Sequence, residues 1–247
     1  TFIATVQAAA CDLRQLPSSN GSVSRQHVVC GDIHLRFHLA HRVIDRCPER
    51  FQDILVTAHG VQDRNTFWDA EGEIVAVVHS HPGLPPEPSQ ADRVACEASG
   101  LPWYIVGIPS QTWARIEPSG YVAPLVGREW SHGVLDCYAL VRDWFDRERG
   151  VTLPDFVRFD EWWKRGENLY VDNFESSGFV RLDAQPLQVG DCFLMQVVSP
   201  VPNHAAVYLG DGLILHHLQG RLSSRDVYGG YWQKITTHAL RHRILIP

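Results

Sequence analysis

Two apolar runs, Asn203–Leu209 and Leu213–His217, flank Gly210-Asp211-Gly212. Asp-Gly supplies the positive φ angles of a tight turn, so this stretch is expected to close as a β-hairpin. Its register decides which imidazole joins His204. With a loop of Gly210–Gly212, His216 opposes Ala206 and shares a face with His204. With Asp211-Gly212 alone, the pairing slips by one and His217 takes that face.

Upstream, Asp136 precedes a run with apolar residues at Leu140, Val141, Trp144 and Phe145, ended by Gly150. That spacing predicts an amphipathic helix with Asp136 as N-cap and Cys137 in its first turn. A thiol there meets the positive end of the helix dipole, which favours thiolate; the Asp136 charge opposes this in part. Further strands are expected at Gly190–Val197 and Arg241–Ile246, and a short Trp-rich helix at Asp160–Gly166. Trp232 reads as packing. A helix followed by a small antiparallel sheet is an α+β arrangement. A thiol, a base histidine and a second polar group orienting that base follow triad logic.

The N-terminal half carries a different chemistry. Phe51–Val56 and Glu73–His79 read as strands, the second apolar enough for a central position. His79 and His81 are two residues apart, so their side chains point to one face. Pro82–Pro88 holds four prolines and a glycine and is a loop. Ser89 then opens a helix to about Ser99, and Asp92 lies in its first turn. Two imidazoles and a carboxylate suit Zn2+ with one place left for water. Ser89-x-x-Asp92 also matches a capping box. Trp103–Ile108 and Thr112–Ile116 read as a strand pair. Composition changes at Pro118–Arg128, which divides the chain into domains 1–120 and 121–247.

Composition bounds the partners. The formal net charge is −6, from 22 basic and 28 acidic side chains, which argues against a dedicated nucleic-acid binder. No apolar run approaches the length of a transmembrane segment. Phe2–Cys11 is apolar but has no basic flank, so it reads as a helix rather than a leader. The six cysteines are scattered, which speaks against a disulfide framework.

The stretch His79-Ser80-His81-Pro82 through Pro88-Ser89-Gln90-Ala91-Asp92 resembles the JAMM (Mov34/MPN) metallopeptidases. That resemblance implies an α/β domain, zinc at His79, His81 and Asp92, and Ser89 helping to bind an oxyanion. It also implies an upstream glutamate as general base. Cys30-Gly31 has no acid just before it, so Glu49, after Pro48, is the candidate. Asp136-Cys137 opening a helix, His204 opening a strand, and a histidine after the glycine turn resemble the NlpC/P60 cysteine peptidases, papain-like α+β domains. What this implies is Cys137 as nucleophile, His204 as base, His216 as orienter, and peptidoglycan stem peptides as substrate. The family's Cys-Ser-Gly is here Cys137-Tyr138-Ala139. The order of the two domains resembles the tail-tip assembly proteins of lambda-like bacteriophages. It implies a place at the distal tail tip of the virion, assembly in the host cytoplasm, and other tail-tip proteins as partners.

Overall fold

A computed structural model of the chain describes residues 26–30, 73–108, 110 and 112–246. Two compact units are formed, Thr1–Val122 and Ala123–Pro247. The regions 2–11 and 51–56, expected as a helix and a strand, and Glu49 lie outside the described residues.

In the first unit a four-stranded sheet has the order β1-β2-β3-β4. Its strands are β1 (Gln26–Cys30), β2 (Glu73–Pro82), β3 (Trp103–Ile108) and β4 (Trp113–Ile116). β1 and β3 flank β2 in parallel, and β4 returns antiparallel to β3. Parallel strands need a crossover, and helix α1 (Gln90–Ser99) supplies it between β2 and β3. Ser89 and Asp92 cap its start reciprocally. Gly100, at φ 66°, ends it by donating its N–H to Cys96 and Glu97 carbonyls. Glu97 in turn accepts the N–H groups of Ser119 and Tyr121 at 2.6 and 2.9 Å, which ties α1 to the segment after β4. Gly107 pairs with His81. A Cβ there would lie 2.9 Å from Pro86 Cδ, so glycine lets the proline loop lie against β3.

The second unit is a six-stranded antiparallel sheet of order β5-β10-β6-β7-β8-β9. The strands are β5 (Phe179–Arg181), β6 (Cys192–Met195), β7 (His204–Gly210), β8 (Leu213–His216), β9 (Ser224–Val227) and β10 (Thr236–His242). Three helices accompany them: α2 (Cys137–Arg149), α3 (Leu169–Asn173) and α4 (Gly230–Ile235). Strand alternation divides the core in two. Leu140, Val141 and Phe145 of α2 pack on Cys192, Leu194, Ala205, Val207 and Leu215. The opposite face carries Phe193, Met195, Ala206 and Ile214, covered by Tyr208, Tyr228 and Trp232. Phe193 and Tyr228 stack at 4.1 Å between ring centroids.

The last strand differs from expectation. It begins at Thr236 and ends at His242, and Arg243–Leu245 forms a 3-10 turn. Its polar first half hides it from a hydrophobicity reading. The Arg241 guanidinium fixes its place by a pair of hydrogen bonds to buried Asp191, at 2.7 and 2.8 Å. The Trp-rich segment is one 3-10 turn, Trp162–Arg165. Among the described residues, Cys96, Cys137 and Cys192 are free and buried, and no helix is long and apolar enough to cross a membrane.

Candidate functional sites

The hairpin register puts His216 opposite Ala206, so His216 shares its face with His204. Both sequence readings of the turn hold a part of the reason. The tip is Asp211-Gly212, with φ of 52° and 69°, and Gly210 pairs with Leu213. The register then shifts between Tyr208 and Gly210, and this bulge moves His216 back into line. His204 Nε2 lies 3.0 Å from His216 Nδ1. His216 Nε2 stands 3.0 Å from Asp226 Oδ2 on β9. Trp232 covers both imidazoles, 4.4 Å from His216 and 6.1 Å from His204 between centroids. His217 points to the opposite face, edge-on to Trp130 at 5.1 Å.

Cys137 sits in the first turn of α2. Asp136 caps that helix by accepting the Ala139 N–H at 2.9 Å. The thiol is 2% exposed. Its partners are the Tyr170 hydroxyl at 3.2 Å and the backbone N–H of Ala205, the residue after His204. The sulfur thus meets β7 at its leading end. It is not hydrogen-bonded to the His204 imidazole, which shares the face of Ala206, whereas Ala205 faces α2. The expectation of a thiolate at the helix mouth is reversed. Burial, then the Asp136 charge, push the thiol up to about 11, and these outweigh the Tyr170 and Ala205 hydrogen bonds. Burial also drives the Tyr170 phenol well above its ordinary range, so it keeps its proton and can donate to sulfur.

Asp136 is itself held by a buried cation. Arg158 Nε donates to its Oδ2 at 2.7 Å, and the guanidinium also reaches the Phe156 and Gly133 carbonyls at 2.8 and 3.2 Å. Burial pushes the Asp136 carboxyl up, but Arg158 and the Ala139 and Gly133 N–H groups outweigh it, and the group stays below the usual carboxylate range. Asp226, Tyr170 and Arg158 were not found from the sequence. No periodicity marks them, because each is brought in by tertiary pairing.

The imidazoles make acid destabilising. Burial, then neighbouring histidines, push His204 down to about 3, and burial, then Arg128, push His217 down to about 4, from an ordinary 6.5. Both are neutral in the fold, while the unfolded chain takes up protons below about pH 6.5. Their contribution is complete above that pH and is lost as pH falls toward 4 and 3, each at up to ~1.4 kcal/mol per unit. Thermal unfolding at pH 7.0, 5.5 and 4.5 should show a Tm that drops steeply below pH 6. A flat Tm over this range would contradict neutral burial.

In the first unit, His79, His81 and Asp92 offer ligand atoms within 4.8 Å of one another. His79 Nε2 and His81 Nε2 lie 3.4 and 3.1 Å from the Asp92 carboxylate oxygens. His81 Nδ1 faces the Pro85 carbonyl at 2.9 Å and must donate to it. With Nδ1 so engaged, Nε2 is the atom turned toward the Asp92 carboxylate, 3.1 Å from Oδ2, where a metal ion can be shared between them. The donor set therefore fits zinc. Ser89 is occupied by Asp92: its N–H and hydroxyl both donate to Asp92 Oδ2 at 2.7 Å.

Two folds of distinct chemistry define the class. Residues 127–241 match the NlpC/P60 family, and residues 26–117 match the prokaryotic homologs of the JAB domain. The chain is 45% identical over 175 residues to tail tip assembly protein K of Escherichia phage lambda, covering 71% of this chain and 85% of the relative. It is 40% identical over 174 residues to tail tip assembly protein K of Escherichia phage N15, covering 70% and 71%. The chain belongs to the tail tip assembly protein K family.

Proposed function

We propose that the chain acts at the distal tail tip of a phage virion, joined to other tail-tip proteins during assembly in the host cytoplasm. Its Ala123–Pro247 unit hydrolyses peptide bonds of bacterial peptidoglycan stems. Cys137 is the nucleophile, His204 its base and His216 the orienter. The observation that carries this is the hydrogen-bonded His204–His216 pair at the strand end where the Cys137 sulfur docks.

Thiol and imidazole are both neutral at pH 7, so the proton leaves sulfur as it attacks the carbonyl, by general-base transfer to His204. Apo catalytic hydrogen bonds commonly tighten only with substrate bound, and here the imidazole must turn around the leading end of β7 to reach the thiol, because the two lie toward opposite faces of the sheet. The backbone N–H of Cys137 at the start of α2 is free of the helix ladder and suits the oxyanion. Histidine then returns the proton to the leaving amine, and water hydrolyses the thioester.

In the other unit, His79, His81 and Asp92 would hold zinc, which supplies Lewis-acid polarisation of a carbonyl and an activated water. Glu49 is the proposed base there, Ser89 becomes the oxyanion donor by turning its hydroxyl proton away from Asp92, and the proposed role is processing of a tail protein.

A second reading has its own support. The thiol is enclosed and strongly protonated, which suits a tail-tip component whose peptidase folds serve assembly contacts. Digestion of purified peptidoglycan separates the two. Wild type should release stem-peptide fragments and Cys137→Ala should release none. Equal release by both removes Cys137 as nucleophile, and no release by either favours the contact role.

A further inference from the structure

We infer that Asp226 is a positioning residue that sets the tautomer of both histidines, through His216 to His204. The inference rests on the peptidase reading of the His204 site, but its first test does not. The two Asp226 oxygens have separate duties. Oδ1 accepts from Arg221 Nη2 at 3.0 Å and from Ser224 Oγ at 2.9 Å. Oδ2 stands 3.0 Å from His216 Nε2. The β8–β9 pairing, Ser224 with His216 and Asp226 with Ile214, brings this carboxylate beside the His216 ring.

Proton placement follows link by link. Burial raises the Asp226 carboxyl, but Arg221, His216 and Ser224 outweigh it and hold it down to about 2, so it is an acceptor only. His216 is 1% exposed at its side chain and stays neutral, because burial lowers its pKa more than Asp226 raises it. A neutral His216 facing an acceptor carries its proton on Nε2. Its Nδ1 is then a lone pair, and that atom lies 3.0 Å from His204 Nε2. His204 must therefore be the Nε2–H tautomer, leaving Nδ1 as its free base nitrogen. The other charged or titratable groups that influence the pair are Arg221 and His217, and neither can accept this proton in place of Asp226.

Asp226→Asn is the decisive variant. Asn can keep the Arg221 and Ser224 contacts through its oxygen, but its amide donates to His216 Nε2. The chain then reverses, and His204 carries its proton on Nδ1, where a base must be empty. Nitrogen-15 NMR of histidine-labelled protein reads this without substrate. Wild type should show Nε2–H at both residues, and Asp226→Asn should show Nδ1–H at both, with unchanged circular dichroism. The kcat on peptidoglycan should fall about 100-fold at unchanged KM, less than the ~10⁴ known for an acid bonded directly to the base. Asp226→Glu should regain most of it. Unchanged tautomers in a folded Asp226→Asn protein would overturn the inference. Wild type inactive on peptidoglycan but with the expected tautomers would overturn the substrate reading and leave the proton chain standing.

Discussion

Arg158→Ala should cost the Ala123–Pro247 unit about 3–5 kcal/mol of unfolding free energy, the range for breaking a buried ion pair from one side. The Arg158 and Asp136 side chains are 1% and 2% exposed. Without the guanidinium, the Asp136 carboxylate keeps two backbone donors but no counter-charge. The loss extends beyond charge, because Arg158 also lies over the Tyr138 and Phe156 rings at 5.1 and 5.5 Å. Urea unfolding followed by tryptophan fluorescence measures the change. Asp136→Asn in the same background should recover part of it, since asparagine still caps α2 without an uncompensated charge. A loss below about 1 kcal/mol would mean that water reaches Asp136.

The second large effect belongs to Asp92. Wild type should hold about one zinc per chain, the stoichiometry of a site with three protein ligands. Asp92→Asn and Asp92→Ala should both weaken zinc binding by ~100-fold or more, since losing a ligand exceeds the 10–100-fold typical of losing a supporting group. Competition with a chromogenic chelator gives the affinity. The two variants separate ligation from capping. Asparagine can still accept the Ser89 N–H, so Asp92→Asn should unfold near the wild-type temperature, whereas Asp92→Ala loses that acceptor as well. Full zinc retention in Asp92→Asn would remove this residue from the donor set.

What could be read from the sequence was local. Ser89, Asp92 and Gly100 delimit α1, and Asp136 and Gly150 delimit α2, because caps are written in adjacent residues. The choice between His216 and His217 was not legible, since a bulge beside the turn is set by the whole sheet. β9 was missed: Ser224–Val227 has no apolar alternation, and with it went Asp226. The thiol was read with the wrong sign, because a helix mouth is a local feature while the enclosure by Tyr170 and β7 is not. Tyr170 and Arg158 come from 33 and 22 residues along the chain to reach Cys137 and Asp136, and such distances leave no pattern.

The shelter around the sulfur has a chemical consequence for storage. Burial and the Asp136 charge keep the sulfur protonated at pH 7, and the thiolate is the form that peroxide and electrophiles attack. A chain built this way can wait in an aerated medium with its Cys137 thiol still reduced.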